Sequence, residues 1–501
     1  MGKIKVYKKE ILFHLFLNLL IAVFVSISSY IHIPFGPLKS VLVYGVHFFI
    51  LQFSVFGFVY ILSLFKNIFS VVFPLVFTVL ASLAFWVYTQ DITIEASIIQ
   101  AILETKIDIA VDVFSFQFFL FVLLALCCSL FFIKKFRKLK KNSIKSPLFI
   151  AAVLAIISFF IVENYRFGVL KRKLPYNAFV AIKKYVEKSK IKLKVIEENI
   201  SSSKENLHII FVLGESVRAD HLSLNGYARK TNPLLSQQQN IISFKNIETP
   251  LTYTAISVPQ ILTNKSVLDS VGTAFYSLFS ILDSASFSSE WIGNQSLEKS
   301  YEAIVNSNQK VTIVDKFHSV LSFKKEKDLK ILDLFKQDEN MAKNKISTLH
   351  MIGSHWYYNS RYSKDFEIFT PTTNSKYIGS LSSEQLINSY DNTLLYLDFF
   401  LNNLIEELKK SSKETILIYL SDHGEILGEN GQWFHAQQNK ASENPAMLVW
   451  YSTNFKENNP EKIKNLISNK NKKYTTDFLF HSLLEISEIK NFKYNKELSI
   501  F

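Results

Sequence analysis

Apolar positions crowd into the first third of the chain, in five runs at 11–30, 41–65, 68–88, 114–133 and 147–162. Four reach the roughly 20 residues needed to cross a bilayer, and the fifth recruits flanking residues. A cleaved leader is a poor account of the first run, because further spans follow it. Past residue 200 the pattern changes. Short apolar runs at 209–213, 346–352, 415–420 and 446–451 predict buried strands. Between them, 386–408 carries Leu386, Tyr390, Leu394, Leu397, Leu401, Leu404 and Leu408 on one helical face. Ser382 and Gln385 ahead of it form a capping box. Within 217–232 a helix is expected to begin and to end by the Asn225-Gly226 turn, helical spacing predicts a helix over 275–287, and a helix near 476–486 and short strands at 311–314 and 320–323 complete the expected elements. About 300 residues of this kind suffice for one large α/β domain.

The expected organisation is a five-helix transmembrane domain over 1–162 and a linker with a juxtamembrane helix over 163–204. A globular α/β domain with a central sheet fills 205–501. The loop at 89–113 places isoleucines at helical spacing beside polar residues, which predicts an amphipathic helix at the outer surface.

Charge gives the topology. The leader MGKIKVYKKE holds four lysines, and 134–145 holds seven basic residues and no acid, whereas 89–113 carries five acids against Lys106. The positive-inside rule places the N-terminus and 134–145 in the cytoplasm, so everything after the fifth span lies outside it. Lys+Arg total 56 against Asp+Glu 43. Much of that excess flanks apolar spans, so anionic lipid headgroups, not nucleic acid, are the expected partner. The two cysteines, Cys127 and Cys128, are adjacent within an apolar run, so no disulfide framework exists.

Candidate chemistry collects at two predicted strand ends. The 415–420 run delivers Asp422 and His423, and the 209–213 run delivers Glu215 just past Gly214. Parallel neighbouring strands bring such ends together at the carboxyl edge of a sheet. Glu215, Asp422 and His423 would then supply oxygen and nitrogen ligands to one zinc, leaving a fourth position for a nucleophile or substrate. Thr252, Thr254 and Ser257 are nearby hydroxyl candidates, and their chemistry alone does not separate them.

GESVRADHLSLNGYARKTNP, TYTAISVP, MIGSHWYYNSRY, SYDNTLLYLDFFL and SDHGEILGENG occur in that order. Together they resemble the motifs of bacterial inner-membrane phosphoethanolamine transferases of the alkaline-phosphatase and sulfatase superfamily. The resemblance implies a five-helix membrane bundle joined to a periplasmic sulfatase-like α/β/α domain with a central mixed sheet. It implies a metal-dependent transferase of the EC 2.7.8 type, multi-pass in the inner membrane and monomeric, with zinc in one tight site and room for a second. Phosphatidylethanolamine would be the donor, and lipid A, lipopolysaccharide core or another envelope glycan the acceptor.

By the same resemblance Thr254, directly before the alanine of TYTAISVP, is the nucleophile and a further metal ligand. His355 and His435 contact the phosphoryl group, and Asn294 lies near the substrate. The chain departs from the family at Pro250, Leu251 and Gln260, where many members carry cysteine, glycine and cysteine, and at Trp356, where most carry glycine. Three alternatives compete: a glycerol-phosphate transferase resembling lipoteichoic acid synthase, a membrane-anchored sulfatase or phosphatase, and an inactive membrane scaffold. The absence of a Cys-x-Pro-x-Arg signature argues against an arylsulfatase.

Overall fold

A computed structural model describes residues 2–90, 93–96, 98–99, 116–139, 144–165, 168–187, 191–269, 274–318, 320, 322–335, 343–376, 378–435 and 437–501. The five apolar runs form helices long and apolar enough to cross a membrane. These are α1 (Tyr7–Ser26), α2 (Leu38–Ser63), α3 (Lys66–Thr89), α4 (Phe116–Arg137) and α5 (Pro147–Tyr165). α2 packs on α5 and α3 on α4. At the first contact a Cβ on Gly57 would lie 2.8 Å from the Ala152 carbonyl oxygen, so the glycine permits backbone approach, as small residues do between membrane helices. The amphipathic segment expected at 89–113 falls largely outside the described residues, although Ile94, Ile98 and Ile99 are buried.

The chain divides into two compact units. The first comprises residues 1–187 with two excursions from the second half, 317–324 and 374–381. Within it, Lys324 Nζ donates to the Thr89 carbonyl, and the Ser375 and Ser40 hydroxyls bond at 2.6 Å. The juxtamembrane helix α6 (Tyr176–Val186) belongs to this unit.

The second unit is built on a seven-stranded sheet. Its strands are β1 (Leu207–Gly214), β2 (Ile241–Phe244), β3 (Phe287–Gly293), β4 (Lys310–Ile313), β5 (Asn344–His350), β6 (Glu414–Ser421) and β7 (Met447–Tyr451). Their order is β2-β7-β6-β1-β5-β3-β4. β6, β1, β5, β3 and β4 are parallel; β7 runs antiparallel to both neighbours. The sheet is therefore mixed, and its central strands are buried on both faces, which is why they read as continuous apolar runs. α8 (Ser383–Leu408) carries the expected capping box at Ser382 and Gln385. It links β5 to β6, and a further helix, Phe478–Ile486, joins the core.

Two expectations need correction. Residues 217–232 form no α-helix, only single turns at Ala219–His221 and Ser223–Asn225. Asn225 Nδ2 donates to the Ala219 carbonyl and Thr231 Oγ1 to that of His221, so local side chains take the carbonyls a helix would use. Of 320–323, the described residues lie in turns or coil within the excursion, outside any strand. The 275–287 helix is shorter than its spacing suggests, Leu278–Ser284, between strands.

Candidate active site and metal centre

β1 and β6 are parallel neighbours in full register, with Gly214 opposite Ser421. Their carboxyl ends coincide, so Glu215 and Asp422-His423 emerge side by side. Ligand atoms of Glu215, Asp422 and His423 all lie within 4.8 Å of one another, and all three side chains are buried. His423 Nε2 stands 3.3 Å from Glu215 Oε1 and 3.4 Å from Asp422 Oδ2. The other ring nitrogen, Nδ1, lies 2.8 Å from the Gly424 carbonyl, which can only accept. Nδ1 therefore carries a hydrogen, and Nε2, the nitrogen whose lone pair a metal would take, faces the carboxylates.

That nitrogen is buried with no hydrogen-bond partner, an orphan that a cation between it and the two carboxylates would satisfy. Charge agrees. Burial, then the neighbouring Glu215, pushes the Asp422 carboxyl up to about 7, with His423 opposing. Burial works against a charged His423, yet Asp422 and Glu215 outweigh it and raise the imidazole to about 10. Burial likewise works against Glu215, and His423 outweighs it, so Glu215 stays ionised. Two buried carboxylates and an imidazole nitrogen facing one point are a donor set that fits a divalent metal.

Thr254 opens α7 (Thr254–Ile261), and its hydroxyl donates to Glu215 Oε2 at 2.8 Å. The positive end of the helix dipole thus lies at this hydroxyl. Thr252 is buried away from the cluster's bonding, and Ser257 Oγ reaches Asp422 Oδ2 only at 3.5 Å. Gln295 Nε2 contacts Glu215 Oε2 at 3.3 Å while donating to the Met351 carbonyl at 2.7 Å.

His355 and His435 come together beside the cluster. Their ring centroids lie 5.6 Å apart, and His435 is 4.7 Å from His423. His435 Nδ1 pairs with Glu425 Oε2 at 3.0 Å, and the Tyr358 hydroxyl donates to Glu425 Oε1 at 2.7 Å. Burial holds His355 down near 3, with Glu215 opposing, so it is neutral. Trp356 packs its ring 5.0 Å from that of Phe434, walling the two histidines.

Asn294 is not among these groups. Its side chain is fully buried and donates to the Glu326 carbonyl and to Asp328 Oδ1. His350 is buried, as its place inside an apolar run suggests. Gln260, at a cysteine position of the resembled pattern, is buried and bonds Thr476 at 2.7 Å. Glu425, Tyr358 and Gln295 are contributions that sequence reasoning missed. Glu425 lay inside a quoted motif, but nothing in its spacing distinguished it.

Residues 208–489 match the family profile described as Sulfatase. The chain belongs to the sulfatase family. Residues 48–189 match the profile described as Phosphoethanolamine transferase EptA/EptB. It is 34% identical over 266 residues to Phosphoethanolamine transferase EptA of Escherichia coli K12, covering 51% of this chain and 48% of that one. The chain thus spans about half the length of the first curated relatives it matches.

Among solved structures, the soluble domain of lipooligosaccharide phosphoethanolamine transferase A from Neisseria meningitidis is 28% identical. It has a TM-score of 0.56 and covers 62% of this chain and 98% of its own. The integral membrane form of that protein, 23% identical with a TM-score of 0.56, covers 97% of both chains and shares the fold throughout. The five apolar helices and the sulfatase-like unit together share the fold of that membrane protein.

Proposed function

We propose that this protein transfers phosphoethanolamine from phosphatidylethanolamine to an envelope glycolipid, lipid A or lipopolysaccharide core, through a phosphothreonine intermediate at Thr254. The observation that carries this reading is the Thr254 hydroxyl bonded to Glu215 within a buried Glu-Asp-His cluster. A lipid donor also accounts for five membrane helices on the same chain. The curated relative named above is a phosphoethanolamine transferase.

Thr254 Oγ1 attacks phosphorus, its proton passing to the Glu215 carboxylate it already faces, and the phosphorus–oxygen bond to diacylglycerol breaks. His435, backed by Glu425, is placed to protonate the leaving oxygen and afterwards to take the proton of an acceptor hydroxyl. The acceptor then forms the new phosphorus–oxygen bond as the bond from phosphorus to Thr254 Oγ1 breaks, and Thr254 recovers its proton from Glu215. The first-turn amides of α7 neutralise charge on the phosphoryl oxygens, and His355, neutral with a lone pair on Nε2, offers a hydrogen-bond acceptor beside them. Zinc held by Glu215, Asp422, His423 and Thr254 would lower the proton affinity of the hydroxyl.

The test is mass spectrometry of envelope glycolipids from cells with and without the gene, and from cells carrying Thr254→Ala. One phosphoethanolamine increment is expected only with the wild-type gene. An increment that survives the alanine substitution would remove Thr254 from the mechanism.

A further inference from the structure

A buried guanidinium holds the loop that carries His355. Arg361 is 4% exposed. Its Nε donates to the His355 carbonyl at 2.8 Å and its Nη2 to the Trp356 carbonyl at 3.1 Å. The Trp356 carbonyl also lies 2.6 Å from His355 Nδ1. A carbonyl only accepts, so Nδ1 carries the ring hydrogen and Nε2 keeps the lone pair. One planar fork therefore fixes two consecutive peptide groups and, through the second, the tautomer and tilt of the His355 ring. Lysine, a single point of charge, cannot span both carbonyls.

The same loop is gripped from its other side. Asp328 accepts from the backbone N–H of Ile352 at 3.0 Å and of Gly353 at 2.9 Å, and from Asn294. Gly353 has φ +57, and a Cβ there would lie 2.6 Å from the Glu215 carbonyl oxygen. Ser354 N–H donates to that Glu215 oxygen at 2.9 Å. Residues 352–356 are thus tied at one end to a metal-cluster residue and at the other to Arg361. Burial pushes Arg361 down to about 10, with Asp328 and Glu215 opposing, so it remains a cation. Replacing it would take this donor from the His355 carbonyl and one of two donors from the Trp356 carbonyl.

We propose that Arg361, with Asp328 behind it, is a positioning residue for phosphoryl transfer, locking the 355–356 peptides so that the lone pair of His355 Nε2 is presented at the reacting centre as a hydrogen-bond acceptor for the ammonium or hydroxyl donors of the substrates. The inference rests on the function proposed above. Arg361 acts through the loop and touches no reacting atom. Its loss falls on the chemical step, because a displacement near 1 Å at a reacting centre costs about a hundredfold.

The experiment uses the full chain in nanodiscs containing phosphatidylethanolamine and measures diacylglycerol release and the covalent Thr254 adduct. Arg361→Ala is expected to lower kcat about a hundredfold with KM for the lipid changed less than about threefold. Millimolar guanidinium is expected to restore about tenfold of that loss by refilling the fork, whereas methylammonium restores none. A kcat within about threefold of wild type, a loss confined to KM, or equal rescue by methylammonium overturns the proposal. Should the alanine variant fail to fold, Arg361→Lys decides. An unchanged melting temperature with kcat about tenfold lower supports the role, and an unchanged kcat rejects it. A wild-type chain that forms no adduct rejects the function itself, which separates the two failures.

Discussion

The Thr254 hydroxyl donates to Glu215 at 2.8 Å although the two residues stand 39 positions apart in sequence. Glu215 is placed by the end of β1 and Thr254 by the start of α7, so the pairing is a product of the sheet edge, not of local sequence. Thr254→Ala is expected to lower transfer by more than about a thousandfold, the scale seen when a nucleophile is removed. Thr254→Ser should keep a measurable fraction, since the hydroxyl remains. Peptide mass spectrometry after exposure to lipid donor checks both, and an adduct on any other residue would refute the assignment.

Metal binding should stabilise the folded chain. Zinc at a hundredfold excess over its Kd adds about 2.7 kcal/mol to the stability of chelator-treated protein. Binding should also release protons, because Asp422 and His423 both hold theirs more tightly in the cation-free cluster. Thermal unfolding of the detergent-solubilised full chain, with and without zinc, measures the first effect and titration in weak buffer the second. His423→Ala should abolish both.

Glu425 backs His435 at 3.0 Å and is itself fixed by Tyr358. Glu425→Gln should lower kcat by about a hundredfold, within the range a positioned acid–base group contributes. Tyr358→Phe, which removes one hydrogen bond to the carboxylate, should cost less. Steady-state kinetics of diacylglycerol release rank the two, and a tyrosine effect larger than the glutamate one would contradict this arrangement.

Acid should weaken the catalytic unit through its buried histidines. His208, fully buried on β1, is pushed down to about 3 by burial, with Lys345 and Lys413 adding to the effect. Its folded proton affinity is below that of the unfolded chain, so the unfolded state binds the proton first. The stability it contributes is present above pH 6.5 and is lost as pH falls toward 3, at about 1.4 kcal/mol per pH unit. His208→Gln should remove that slope while keeping a donor for Ser347, which His208 contacts at 3.1 Å. Urea unfolding at pH 7 and pH 5 compares the variants, and parallel losses would refute the role.

The sequence made some of this architecture readable for definite reasons. β1 and β6 are continuous apolar runs that end on acids, and α8 begins with a capping box and keeps one apolar face for its whole length. The metal cluster followed from these strands once they were taken as parallel neighbours. Other parts were hidden because side chains satisfy backbone groups far from their own segment. Asp328 and Arg361 grip the 352–356 loop through peptide N–H and carbonyl groups, which leaves no periodicity to detect. The helix expected ahead of the Asn225-Gly226 turn does not form, because Asn225 and Thr231 divert the carbonyls that it needs.

The excursions at 317–324 and 374–381 bear on how this protein is handled in the laboratory. Both leave the catalytic half of the chain and pack within the membrane unit. A truncation that begins after residue 187 would amputate their partners, stripping Ser375 of Ser40 and Lys324 of the Thr89 carbonyl. Such a fragment would carry two frayed flaps that invite proteolytic nicking. Trimming both flaps, or keeping the helices, is the sounder route to a homogeneous preparation.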